Sequence, residues 1–280
     1  MVHLPEPGPD VGFFSTSEVH RQNANEQKIS RTIALRQGKF SSPPRIGVGL
    51  NAVDTGAVKG DNIRIHTSVS RVFTDSFDVG FRTWWNSTLN SGKAVWTEAK
   101  EGAKDTQLGE WATMGPSTKQ QSGHIQFEKP FAEPPEIVLW FNYLDLKSKG
   151  EQYRLHTFAS DVTKEGFTVN VDTWNMSEFY KVGVTWIASK KNRRGIETGR
   201  FVDSTKAIGK RAQKTRKVEF PKGKFSRPPT VLSGLSMIDN SAESPLRLAS
   251  VVNDVSADGF TWTMETDTKW QTSADFIAIG

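Results

Sequence analysis

Residues 131–145 read FAEPPEIVLWFNYLD. The same phrase opens two other stretches: FSSPP at 40–44 leads into RIGVGLNAVD, and FSRPP at 225–229 leads into TVLSGLSMID. Each Pro-Pro pair is followed by a β-rich run ending in an aspartate: Asp54, Asp145 and Asp239. Proline has no N–H to give to a strand ladder, so a pair of prolines marks strand entry and not strand interior. Three entries about 90 residues apart are too regular for chance turns and too widely spaced for a solenoid. They imply one unit written three times.

More falls into register around these anchors. An arginine follows each aspartate by eight to ten residues: Arg64, Arg154 and Arg247. Thirteen residues after each arginine stands a phenylalanine, Phe77, Phe167 or Phe260, and five before each phenylalanine a valine, Val72, Val162 or Val255. A Gly-x-aromatic triplet precedes each copy: Gly12-Phe13-Phe14, Gly109-Glu110-Trp111 and Gly199-Arg200-Phe201. Copies 1 and 2 also share Trp84 with Trp174 and Trp96 with Trp186. The runs NIRIHTSVSRV, QYRLHTFASDV and LRLASVVNDV alternate with the period of a half-buried strand, and no segment shows a helix-length 3.6 period. The expected fold is therefore all-β: three tandem antiparallel β-sandwich domains of about six strands each, over 1–100, 101–190 and 191–280, in pseudo-threefold arrangement.

Composition sets outer limits. The 280 residues hold 9 Trp and 17 Phe, enough for several small cores, and no cysteine, which excludes disulfides, thiolate metal sites and Cys nucleophiles. No run of 18 apolar residues predicts a membrane-spanning helix. The opening MVHLPEPGPDVGFF lacks the apolar region of a secretory signal, so a cytoplasmic protein, or one released without a signal peptide, is expected. The net charge of +5 is uneven: residues 190–224 hold 13 Lys/Arg against 3 Asp/Glu, a net of +10, leaving −5 elsewhere. Such a run reads as a solvated face or as a patch for nucleic acid, sulfated glycan or membrane; of these partners nucleic acid is the unlikely one.

No catalytic constellation emerges. His66 and His156 occupy equivalent places, but the third copy has Ala249, and two residues on one strand face make no metal site. No nucleophile elbow, zincin motif or phosphate loop occurs. The repeated aspartates read as turn residues after a strand. The arginines read as surface charges or as a binding feature. The tryptophans before polar loops, in WWNSTLNSGKAVW (84–96) and WNMSEFYKVGVTW (174–186), read as core packing or as a sugar platform. An indole face suits the C–H face of a pyranose, and a guanidinium fork suits vicinal hydroxyls. A non-enzymatic binding protein, with no cofactor and no metal, is the expectation.

The combination Phe-x-x-Pro-Pro, strand, Leu-Asp, loop, Arg, Gly-Phe and Thr-Trp resembles the H-type lectin family, best in the middle copy: FAEPPEIVLWFNYLD, YRLHTFASDVTKEGF and DTWNMSEFYKVGVTWIAS. The resemblance spans essentially the whole chain, once per repeat. It implies binding of galactose or N-acetylgalactosamine on glycoproteins or glycolipids, in sites between neighbouring units. By the same resemblance the site residues are Arg64, Arg154 and Arg247, then Trp84 and Trp174, with Trp85 and Asn175 where the family has histidine. Tyr180 matches the family tyrosine, where copy 1 has Asn90, and Asp203 is the one candidate for the family's N-terminal-loop aspartate. Copy 3 has Asp267-Thr268 in place of the Trp pair and is expected to lack a normal site. Three fused units would make the family trimer within one chain, through linkers TEAKEGAKDTQ and SKKNRRGIET that reach about 30 Å when extended. Two N-glycosylation sequons, NST (86–88) and NMS (175–177), fall in the same loop as the expected site, so a glycosylating secretory route would cover it.

Overall fold

The structure, a computed structural model, describes residues 9–19, 28–56, 62–147, 152–175, 177–203, 212–242, 244–266 and 271–280. Repeat 1 supplies β1 (Val11–Ser15), β2 (Lys28–Ala34), β3 (Arg45–Thr55), β4 (Ile63–Ser70), β5 (Ser76–Arg82) and β6 (Leu89–Ala99). Repeat 2 supplies β7 (Thr106–Ala112), β8 (Gln121–Gln126), β9 (Glu136–Lys147), β10 (Gln152–Ser160), β11 (Gly166–Asp172) and β12 (Glu178–Ser189). Repeat 3 supplies β13 (Ile196–Asp203), β14 (Ala212–Glu219), β15 (Thr230–Ser241), β16 (Arg247–Asn253), β17 (Gly259–Thr266) and β18 (Thr272–Ile279). The chain is all-β, with six strands per repeat. Among the described residues no helix is long and apolar enough to cross a membrane.

The anchors take the places their chemistry requires. β3, β9 and β15 each begin on the residue after the second proline, and Pro44, Pro135 and Pro229 are buried beneath those entries. Phe40, Phe131 and Phe225 are buried with them. Each repeat is cored by the phenylalanine of the Gly-Phe step against a closing aromatic: Phe77 on Trp96 at 5.0 Å, Phe167 on Trp186 at 5.8 Å and Phe260 on Phe276 at 5.1 Å between ring centroids. Edge-to-face pairs of this kind add about 0.5–1.5 kcal/mol beyond their buried area. The glycine of the Gly-x-aromatic triplet makes room for that ring. A Cβ would lie 2.9 Å from Trp96 at Gly12, 2.7 Å from Trp186 at Gly109 and 2.5 Å from Phe276 at Gly199.

The sheets do not stop at the repeats. There are three six-stranded antiparallel sheets, ordered β1-β6-β3-β16-β17-β14, β2-β5-β4-β9-β12-β7 and β13-β18-β15-β10-β11-β8. Every repeat therefore places three strands in one sheet and three in another, and each sheet is completed by a neighbour. β4 pairs with β9, β10 with β15 and β16 with β3, so the pairing runs 1 to 2, 2 to 3 and back to 1. We call these junctions seams 1/2, 2/3 and 3/1. The linkers are shorter than the sequence suggested: strand structure runs to Ala99 and resumes at Thr106, and again from Ser189 to Ile196.

An apolar cluster of Val95, Leu108, Val138, Trp140, Ile187, Leu232 and Ile277 draws on all three repeats. Trp140, five residues after Pro135, has Gly49 and Gly234 as its counterparts. A Cβ at Gly49 would meet Trp140 at 2.4 Å, and one at Gly234 would meet it at 2.5 Å. One indole thus fills the space between the repeats, and only two glycines leave room for it. Its Nε1–H donates to the Asp275 carbonyl at 2.9 Å. Hydrogen bonds between repeats differ too. Thr185 Oγ1 donates to the Val48 carbonyl at 2.6 Å, the Leu139 N–H donates to the Asp275 carboxylate at 3.1 Å, and the Asn51 amide donates to the Ser233 carbonyl at 2.8 Å. Val48, Leu139 and Ser233 are equivalent positions, so one place in the fold is satisfied by three chemistries.

Candidate functional site

Seam register sets the site. Arg64 stands directly opposite Asp145, Arg154 opposite Asp239 and Arg247 opposite Asp54. The three aspartates are thus strand residues facing the next repeat's arginine, which corrects the turn reading: β3, β9 and β15 run past them because the neighbouring strand continues the ladder. The Nε–Oδ1 separations are 3.3, 3.4 and 3.1 Å in seam order. Side-chain exposure separates the pairs: 11% and 15% for Arg64 and Asp145, 13% and 9% for Arg154 and Asp239, but 40% and 35% for Arg247 and Asp54. Burial pushes the Asp145 and Asp239 carboxyls above the usual carboxylate range, against the pull of their arginines.

Seam 1/2 is the most elaborate. Arg64 Nη1 donates to Asn86 Oδ1 at 3.1 Å, and its Cζ lies 5.4 Å from the Trp85 ring centroid. Trp84, half-buried, packs on Tyr143 of repeat 2 at 5.1 Å, and His66 packs on the same Tyr143 at 4.9 Å. Lys181 Nζ sits 5.2 Å from the Tyr143 ring. Burial first, then the charges of Lys181 and Arg82, lowers His66 to about 4, so it is neutral at pH 7. Tyr143 was not singled out from the sequence, although it stands two residues before Asp145 and hence on the same strand face.

At seam 2/3, Arg154 Nη1 donates to the Asn175 carbonyl at 3.4 Å, and Trp174 is half-buried. His156 stands opposite Met237, where seam 1/2 has His66 opposite Tyr143. At seam 3/1 the same positions are Ala249 and Ala52. Those alanines help to line a cleft of about 600 Å³ together with Phe13, Lys93 and Val251. Asn90 Nδ2 donates to Asp54 Oδ1 at 3.1 Å there. Asp267 and Thr268 lie outside the described residues.

Tyr180 lies at a different seam from Trp174. It adjoins Lys181, which stands opposite Asp145, and its ring lies 5.5 Å from Lys147 Nζ. It therefore flanks the Asp145 side of seam 1/2, away from Arg154. The reason is the exchange of sheets: a repeat gives its arginine and tryptophans to one seam and its aspartate and tyrosine to the other. Asp203 ends β13 opposite Thr272, and its side chain lies outside the described atoms. Among the described residues, several cations of the basic run are already paired. Arg200 is bound to Asp275 at 2.6 and 2.9 Å, Lys224 pairs with Glu197 at 2.9 Å, and Arg193 bonds Thr106. β13 and β14 then lie in different sheets. Lys206, Lys210 and Arg211 lie outside the described residues.

A family model described as the H-type lectin domain matches three times, over residues 33–97, 122–189 and 215–279. No curated protein matches the chain significantly. Two solved structures of discoidin II from Dictyostelium discoideum, one wild-type and one native recombinant, are 11% identical to it. They cover 64% of this chain and 94% and 95% of their own, at TM-score 0.28, a score too low to bear on fold or ligand.

Proposed function

This chain belongs to the H-type lectin domain family, and from that premise we propose that it is a non-enzymatic lectin for galactose- or N-acetylgalactosamine-type glycans, bound at its seams. Membership of a lectin family supports carbohydrate binding in general. The observation that carries the finer reading is the Arg–Asp pair recurring across all three seams, with aromatic side chains beside it at seam 1/2. At seam 1/2 the guanidinium edge offers donors to vicinal hydroxyls, the carboxylate accepts from them, and Trp84 and Tyr143 offer apolar faces to the sugar's C–H face. Seam 2/3 keeps Arg154, Asp239 and Trp174. Seam 3/1 keeps the ion pair, with Ala249 and Ala52 at the positions of His66 and Tyr143. Three units, 1–100, 101–190 and 191–280, thus act as a pseudo-trimer with two unequal competent sites. Each site is weak alone, and both together bind a multivalent glycan surface by avidity. A protein kept from the glycosylating route leaves the Asn86 and Asn175 sequons bare.

A glycan array tests this, comparing the unmodified protein with an Arg64→Gln/Arg154→Gln double variant. Signal on terminal galactose-type glycans that vanishes in the double variant is expected. No signal at low salt, or signal surviving the double variant, overturns the reading. Salt separates the alternative: neutral-sugar binding barely responds to about 0.5 M NaCl, whereas an anionic-polymer contact through residues 190–224 weakens by orders of magnitude.

A further inference from the structure

We propose that Trp85 forms a second sugar subsite at seam 1/2, taking the penultimate pyranose of a glycan whose terminal residue lies at Arg64; this rests on the glycan-binding reading above. Two adjacent indoles behave differently there. Trp84 is packed on Tyr143, while Trp85 is 74% exposed and contributes little to any core. Trp85 also has φ 58, in the left-handed region that a bulky aromatic rarely adopts. Its counterpart Asn175 has φ 50. The loop itself therefore demands this backbone conformation. Repeat 2 meets the demand with asparagine, which tolerates it, and repeat 1 with tryptophan, which does not. An exposed and strained tryptophan costs stability twice and returns to the fold only its contact with Arg64. Such strain marks a residue kept for what it contacts.

The surroundings specify the ligand. The Arg64 guanidinium sits 5.4 Å from the ring and is paired with Asp145, so the remaining indole surface borders hydrogen-bond donors. A flat apolar face edged by hydrogen-bonding groups matches the C–H face of a pyranose flanked by its hydroxyls. Asn175 offers no such face, so seam 2/3 reads one sugar where seam 1/2 reads two.

The test is titration calorimetry on the full chain in an Arg154→Gln background, where seam 1/2 alone is read. The probes are methyl β-galactoside as one residue and lactose and N-acetyllactosamine as two. Trp85→Asn should weaken both disaccharides about tenfold, the worth of one stacking contact, while methyl β-galactoside changes by less than about twofold. Trp85→Phe should recover most of the loss, and the melting temperature of Trp85→Asn should not fall. Equal factors for one and two residues, or no change in either, overturn the second subsite and leave the glycan reading standing. Binding of none of the three probes by the Arg154→Gln protein overturns both.

Discussion

Seams 1/2 and 3/1 carry the same ion pair at the same register, yet the described residues around it differ. Arg64 and Asp145 are largely enclosed, with Trp84, Trp85, His66 and Tyr143 about them. Arg247 and Asp54 are more than a third exposed, with Ala249 and Ala52 where the histidine and tyrosine would be. The pair is thus a joint common to all three repeats, and in the proposed function the aromatic surroundings decide whether a joint also offers a ligand surface. Duplication copied the joint, and a chain with three separate copies could then specialise each one. Trp140 makes the same point, because a trimer of identical subunits has no place for three indoles where one fits beside two glycines.

Breaking what the seams share should have the largest effect. Trp140→Ala removes the indole that fills the space between the repeats and should cost about 3–5 kcal/mol, read by chemical unfolding, with all sites affected alike. Loss below about 1 kcal/mol would mean the repeats hold together without it. Next, Arg64→Ala should abolish array binding at seam 1/2 and cost about 1–3 kcal/mol by stranding a half-buried Asp145. Arg247→Ala should leave glycan binding unchanged and cost under about 1 kcal/mol, because that pair is exposed. Equal losses in the two variants would erase the distinction between the seams.

Acid sharpens the contrast more gently. The folded pKa of His66, about 4, lies below its ordinary value of 6.5. Between those values the unfolded chain takes up a proton that the folded chain refuses, so stability falls as pH drops from 6.5 to 4. Asp145, raised by burial, works in the opposite sense. Comparing unmodified protein with His66→Ala, which copies seam 3/1, isolates the histidine. The stability difference between them should shift by on the order of 2 kcal/mol across that window, at about 1.4 kcal/mol per pKa unit. The smallest effect concerns modification. Expression through a glycosylating route should add a glycan at Asn86, detected by mass spectrometry, and reduce seam 1/2 binding without lowering the melting temperature; undiminished binding at full occupancy would move the ligand away from Arg64.

Much of this was legible in the sequence because it is local. Pro-Pro lacks two N–H donors wherever it stands, so strand entry follows from two residues. Period-2 alternation at NIRIHTSV and QYRLHTFA marks strands without reference to a partner. Arg64, Trp84 and Trp85 are close in sequence and stay close in space. The partner side was not legible. Asp145 looks like the residue that ends a strand until β4 of another repeat is laid beside it. Which arginine Tyr180 accompanies is not legible either, because a repeat serves two seams and no count within one repeat separates them.

From the chain alone came three all-β units, their strand entries and one half of each seam, since backbone chemistry and alternation act between near neighbours. Tertiary structure alone decided which repeat completes which sheet, that aspartate meets arginine across the seam, and that one indole takes the space of three. Those outcomes depend on distances between segments that lie on the order of a hundred residues apart, where packing leaves room for a single solution and no local pattern records it.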